Sequence, residues 1–147
     1  MPANDKRSPK HYVSEYQHWD LVINTGMGYL NGNATKYIAR WRLKNGLEDL
    51  QKALHYIDKL IEQVPAETPF IVRANKAKIF NEVERFVVVN MLFERERDVI
   101  QDLAGWEARS DILNARDRVL ELIESLGPKP VPLEDSNKHA IQDPTGW

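Results

Sequence analysis

The sequence predicts an all-α fold: a small helical domain of about five helices built around a central helix–glycine–helix hairpin. Three observations carry this. Apolar residues recur at i, i+3, i+4 spacing over several stretches, helix-capping residues stand ahead of them, and glycine or proline closes them. A chain of 147 residues is one domain's worth and can bury a core without staples. Its 42% hydrophobic and 29% charged residues fit a soluble globular protein rather than a disordered one.

The elements follow in order. Residues 1–13 are polar, carry two prolines and read as an extended arm. Ser14 with Gln17 resembles a capping box, and a first helix is expected from Glu15 to about Asn24. Gly26, Gly28 and Gly32 read as a loop, and Asn33 as the N-cap of the next helix. Ala34, Tyr37, Ile38 and Trp41 form its apolar stripe, while Lys36, Arg40 and Lys44 form a basic one. Gly46 is placed to end this helix in a left-handed conformation. A third helix starts at once, with Leu47, Leu50, Leu54, Ile57, Leu60, Ile61 and Val64 on its core face and Pro65 at its end. So short a joint makes the two helices antiparallel or sharply crossed.

Residues 65–74 read as a linker. A long charged helix is expected from about Asn75 to Leu103; its run Phe86–Phe93 is β-branched enough for a strand, but charged, helix-favouring flanks make it a buried helical segment. Gly105 marks a break, and a last helix spans about Arg109 to Leu126 before Gly127-Pro128. This divides the chain into an arm (1–13), one helical domain (14–127, in halves 14–64 and 75–127) and an extended tail (128–147). The apolar faces of the later helices, Phe86–Phe93 included, exceed what short hairpins cover, which points to a homo-oligomer.

Composition removes several functions. A net charge of −2 gives no bulk attraction to nucleic acid or to an anionic membrane, so an anion site has to be local. The absence of cysteine removes disulfides, thiolate zinc sites and cysteine nucleophiles. No apolar run reaches membrane-spanning length, and the N-terminus lacks the apolar segment of a signal peptide. There is no G-x-x-x-x-G-K-[ST] phosphate loop, no H-E-x-x-H, and no histidine spacing that suggests a metal site.

The stretch Gly32–Glu62 gathers Lys36, Arg40, Arg42, Lys44 and Lys52 against Glu48 and Asp49. Basic residues near a helix start suit phosphate groups, and the alternative is a solvated face of ion pairs. Tyr37 and Trp41 are aromatics able to stack on a base, or they are core. His11-Tyr12 and His55-Tyr56 pair a histidine with a tyrosine; each histidine, like His18, is a candidate base or a structural residue. Asp49 pairs with Lys52 along the helix, fixes Arg40 or Lys36 across the hairpin, or accepts from a ribose hydroxyl.

The pattern His11-Tyr12, Gly32-Asn33-Ala34-x-Lys36-Tyr37-Ile38-x-Arg40, Lys44-Asn45-Gly46-x-Glu48-Asp49-Leu50-x-Lys52-Ala53, Tyr56-Ile57 resembles a small phage family of unknown function whose best-described relatives are phage nucleotide kinases. The resemblance covers residues 11–62. It implies a helical fold, the cytoplasm of an infected bacterial host, and phosphoryl transfer to a deoxynucleoside monophosphate without a standard phosphate loop. On this resemblance the phosphate contacts are Asn33, Lys36, Arg40 and Lys52, with His11 and Asp49 as catalytic candidates. Tyr37, Trp41, Lys44 and Tyr56 complete the ligand-binding set, with no metal-ligating residues in the chain.

Two functions share such a site. One is a nucleotide kinase, with ATP and magnesium as its cofactors. The other is a non-catalytic sponge, without cofactor, that sequesters a nucleotide immune signal. A third reading is a helical interaction protein with a solvated basic patch. A nucleotide ligand and further copies of the chain are the expected partners, with no membrane and no strong nucleic-acid binding.

Overall fold

The computed structural model describes residues 15–128. The N-terminal arm, with Ser14 and His11, and the tail from residue 129 onward lie outside the described residues. The fold is all-α, with six helices among the described residues, in the order α1 (His18–Thr25), α2 (Tyr29–Arg40), α3 (Leu47–Gln63), α4 (Lys76–Val89), α5 (Glu94–Ala104) and α6 (Arg109–Ser125). The α2–α3 hairpin makes the most extensive helix–helix contact. Helix α6 packs on α3 and α5, and α4 joins α1 to α5. The core these helices close over includes Leu21, Ile38, Leu50, Ile57, Val83, Phe86, Ile100, Leu103, Ile112 and Leu122.

One device starts four of the helices. A side chain at the third helical position accepts the backbone N–H of the residue before the helix. Asp20 serves Gln17 at 3.0 Å, Asn31 serves Gly28 at 2.9 Å, Glu96 serves Phe93 at 3.2 Å and Asp111 serves Ala108 at 3.1 Å. Each satisfies one orphan donor and sets a polar or negative group against the positive end of the helix dipole. The first helix therefore begins three residues later than expected, with Gln17 as its cap rather than the partner of Ser14.

Three boundaries differ from the sequence expectation. Helix α2 starts at Tyr29, not after Asn33, so Gly32 is a helical residue. A Cβ built on Gly32 would stand 3.6 Å from a Val22 methyl, an ordinary van der Waals contact, so this residue lies on the face of α2 that meets α1 instead of opening a loop. Helix α2 ends at Arg40, and residues 41–46 form a turn in which the Gly46 N–H donates to the Trp41 carbonyl at 2.9 Å. Gly46 has the expected positive φ of 55°, but its ψ of −124° is not left-handed helical; it is an extended mirror conformation open to glycine, from which α3 departs at once.

The long helix over 75–103 is two helices, which raises the count from five to six. A continuous helix over that span would be about 43 Å long, more than a small domain can cover. Met91, at φ 54°, breaks it. The break is tied to the segment just before α1 by Asn90, whose side-chain amide donates to the Tyr16 carbonyl at 2.8 Å and to the Phe86 carbonyl at 2.9 Å. The reversal lets Phe86 and Val87 on one side, and Val99, Ile100 and Leu103 on the other, reach the same core.

Candidate functional site

The α2–α3 hairpin brings together much of what the sequence nominated. Tyr37 lies at its centre. Its ring has Arg40 at 4.8 Å, Lys36 at 5.2 Å and Lys52 at 5.6 Å from the centroid. It stacks on Tyr56 at 6.0 Å with the planes 14° apart. Tyr29, about two turns earlier on the same face, meets Tyr56 edge-on at 6.0 Å. The reason is helical geometry: Tyr29, Asn33, Lys36, Tyr37 and Arg40 share one side of α2, and Lys52 and Tyr56 are one turn apart on α3. The Tyr56 phenol is pushed above its ordinary value, first by the Tyr29 phenol beside it, then by burial.

The three cations are not equivalent. Arg40 donates through Nε and Nη2 to the two oxygens of Asp49, 3.2 Å each. Lys52 stands 3.9 Å from Glu48, a loose surface pair worth little. Lys36 is exposed and makes no ion pair among the described residues. Lys44 is exposed in the turn after α2. His55 is exposed beside Tyr56, with the rings edge-on at 6.0 Å.

Several nominated residues have other work. Asn33 is not an N-cap: it sits inside α2 and its side-chain amide donates to the Tyr29 carbonyl at 2.8 Å. The backbone amides after it belong to the helix, so the picture of free N–H groups receiving an anion there does not hold. Trp41 is not available to stack on a base. It is buried, and its Nε1–H donates to Glu96 at 2.8 Å. Tyr37 is also occupied, since Tyr56 and three cations surround its ring.

Asp49, the catalytic candidate, is fully buried. Besides Arg40 it accepts the backbone N–H of Asn45 at 3.1 Å and the Asn45 side-chain amide at 3.4 Å. Burial pushes this carboxyl up, but the Arg40 guanidinium and the Asn45 donors outweigh it and hold the group below the usual carboxylate range. An ionised carboxylate with four donors is a brace across the turn and a poor proton acceptor. Of the two readings of Asp49 across the hairpin, the structure has the one that fixes Arg40. His11, the other catalytic candidate, lies outside the described residues.

Two residues escaped the sequence reading, Glu96 and Tyr29. Glu96, 1% exposed, accepts from Trp41 and from the Arg42 Nε at 2.8 Å each; within the run Glu94-Arg95-Glu96-Arg97-Asp98 nothing distinguishes it from its surface neighbours. Arg42 is thereby held between the Trp41 ring at 4.4 Å and the Phe93 ring at 4.6 Å, not in the phosphate cluster. Tyr29 stood in the expected glycine loop and so drew no attention. His18 lines a groove with Lys36; burial, then the nearby Lys36 charge, lower its pKa to about 4. Among the described residues, no group of three or more His, Asp or Glu is arranged to hold a metal ion, and no helix is long and apolar enough to cross a membrane.

Comparison with known proteins extends over the same stretch. No curated protein and no solved structure matches the chain. Residues 6–58 match the family profile DUF3310, described as proteins of unknown function. That corrects the kinase resemblance: the matched family has no assigned activity, and nothing links it to a nucleotide kinase family. The matched residues take in α1, α2 and most of α3 and leave α4 to α6 outside, so the chain is similar to this family over the segment that carries the tyrosine–cation cluster.

Proposed function

We propose that the protein binds a nucleotide, with the phosphates on Lys36, Lys52 and the outer edge of Arg40. The single observation that supports this is the convergence of three cations from two helices on one tyrosine ring, with Lys36 carrying no carboxylate partner among the described residues. Cations so gathered repel one another unless an anion arrives, and a phosphate accepts from several donors at once.

Retention fits this site better than turnover. Phosphoryl transfer from ATP with magnesium needs a group to take the proton of the attacking oxygen. Asp49, the nominated base, is committed to Arg40 and Asn45, and the other carboxylate beside the cations, Glu48, faces solvent in a loose pair with Lys52. A protein that sequesters a nucleotide signal needs only the clamp. A cytoplasmic setting, where such ligands are found, goes with this reading.

The test is direct. The full chain is incubated with mononucleotides plus ATP and magnesium, and separately with cyclic and ADP-ribose-type nucleotides. It is then heat-denatured and the released compounds are identified. Intact ligand in stoichiometric amount is the expected result, lost in a Lys36→Ala, Lys52→Ala double variant. A newly phosphorylated product makes the protein a kinase. No bound nucleotide, or undiminished binding in the double variant, removes the proposal.

A second reading, a helical interaction protein, has its own observation. An apolar cleft of about 280 Å³ lies between the end of α2 and the α4–α5 turn, with exposed Leu43, Met91 and Phe93 among its lining residues. The homo-oligomer expected from the later helices belongs here. Sedimentation equilibrium of the full chain at the mass of a monomer would remove that oligomer.

A further inference from the structure

A second concavity shares Tyr29 and Lys36 with the tyrosine–cation cluster. It is a shallow groove of about 350 Å³ between α1 and α2. That volume is at the lower end of the roughly 300–1,000 Å³ of small-molecule sites.

Its surfaces differ in chemistry. Gly32 and Val22 give it an apolar base, because the glycine contributes no side chain and a Val22 methyl stands 3.6 Å from the place of its absent Cβ. Tyr29 stands at one side, 73% exposed, with its ring at 71° to the Tyr56 ring and its phenol beside the Tyr56 phenol. His18 and Asn33 supply polar atoms. Assigning the Thr35 hydroxyl proton to the Gly32 carbonyl at 3.0 Å, rather than to the Met27 sulfur at 3.8 Å or to His18, makes His18 Nε2–H the donor to the Thr35 oxygen at 2.8 Å and leaves Nδ1 as an acceptor. Asn33 donates to the Tyr29 carbonyl, which leaves its side-chain oxygen as a second acceptor. Lys36 is the groove's cation and also belongs to the cluster around Tyr37.

An apolar base, one exposed aromatic wall, two uncharged acceptors and a cation shared with a phosphate clamp match a flat heteroaromatic ring with a phosphate at one end. We infer that this groove is the subsite for the base of the bound nucleotide, with Tyr29 as its stacking partner. The inference rests on the function proposed above and adds where specificity lies. Its ligand class is a nucleoside 5′-phosphate, and the stacking role passes from Tyr37 and Trp41 to Tyr29.

The experiment is calorimetric titration of the full chain with pyrophosphate, ribose 5-phosphate and a panel of nucleoside 5′-monophosphates. At least one monophosphate is expected to bind about tenfold or more tightly than ribose 5-phosphate, as one stacked base supplies. Tyr29→Ala should abolish that advantage, bringing the monophosphate down to the affinity of ribose 5-phosphate for the same variant, and Tyr29→Phe should keep it. Lys52→Ala should weaken all of the ligands. Tyr29 is an exposed first residue of α2, so unchanged circular dichroism is expected of both Tyr29 variants. Equal affinity for ribose 5-phosphate and every monophosphate, or an equal loss for both in Tyr29→Ala, overturns the base subsite and leaves the phosphate site standing. No binding by any of the phosphates overturns both.

Discussion

Asp49→Asn separates a structural carboxylate from a catalytic one. The side chain is fully buried and receives two hydrogen bonds from Arg40 and two from Asn45, between 3.1 and 3.4 Å. Asparagine keeps the shape but removes the charge and turns one acceptor into a donor that faces other donors. Breaking a buried ion pair costs roughly 3–5 kcal/mol. The Arg40 side chain is one-third exposed and regains some hydration, which discounts that cost to about 2–3 kcal/mol. For a chain of this size that is a fall in Tm of about 10 °C, read by circular dichroism. The pH dependence has a definite sign. A carboxyl with a depressed folded pKa contributes stability that is fully present above its unfolded value of 3.8 and is lost as pH falls through the lower folded value. The wild-type advantage over Asp49→Asn should therefore hold at neutral pH and shrink below about pH 4. A variant that melts within about 1 °C of wild type at pH 7, yet loses a nucleotide-dependent product, would refute the brace and restore Asp49 as a catalytic group.

Two further outcomes follow from the same geometry. Trp41→Phe keeps the ring in the core but deprives buried Glu96 of the Nε1–H at 2.8 Å, which should cost about 1–3 kcal/mol in urea unfolding without altering nucleotide binding; a weaker ligand with unchanged stability would return Trp41 to the site. His18, whose pKa burial and Lys36 lower from 6.5 to about 4, should titrate near pH 4 by NMR in the folded protein. The unfolded chain then binds the proton first, so His18 contributes stability that is complete above pH 6.5 and declines as pH falls toward 4; a midpoint near 6.5 contradicts the buried, neutral imidazole.

The helical class was legible because it depends on a periodicity each segment carries by itself. Leu50, Ile57 and Leu60 repeat at helical spacing, and α3 runs from Leu47 to Gln63 with Pro65 just beyond, close to the expected bounds. α6, expected over Arg109–Leu126, ends at Ser125. The cluster of Lys36, Arg40 and Lys52 around Tyr37 was also legible, since i, i+4 spacing on a tight hairpin leaves few alternatives.

What only the tertiary structure decided is which polar residues face inward. Asp49 and Glu96 occur in charged runs that any solvated helix shows, and each is buried because a residue distant in sequence or across a turn supplies its donors: Arg40 for Asp49, Trp41 and Arg42 for Glu96. Gly32 reads as a loop residue until α1 is laid against it, and the 75–103 segment reads as one helix until the core limits its length. The sequence determined the helices and the basic hairpin, because these follow from local periodicity and backbone preference. The burial of Asp49, the occupation of Trp41 and the exposure of Tyr29 depend on which faces meet, and no local pattern records that.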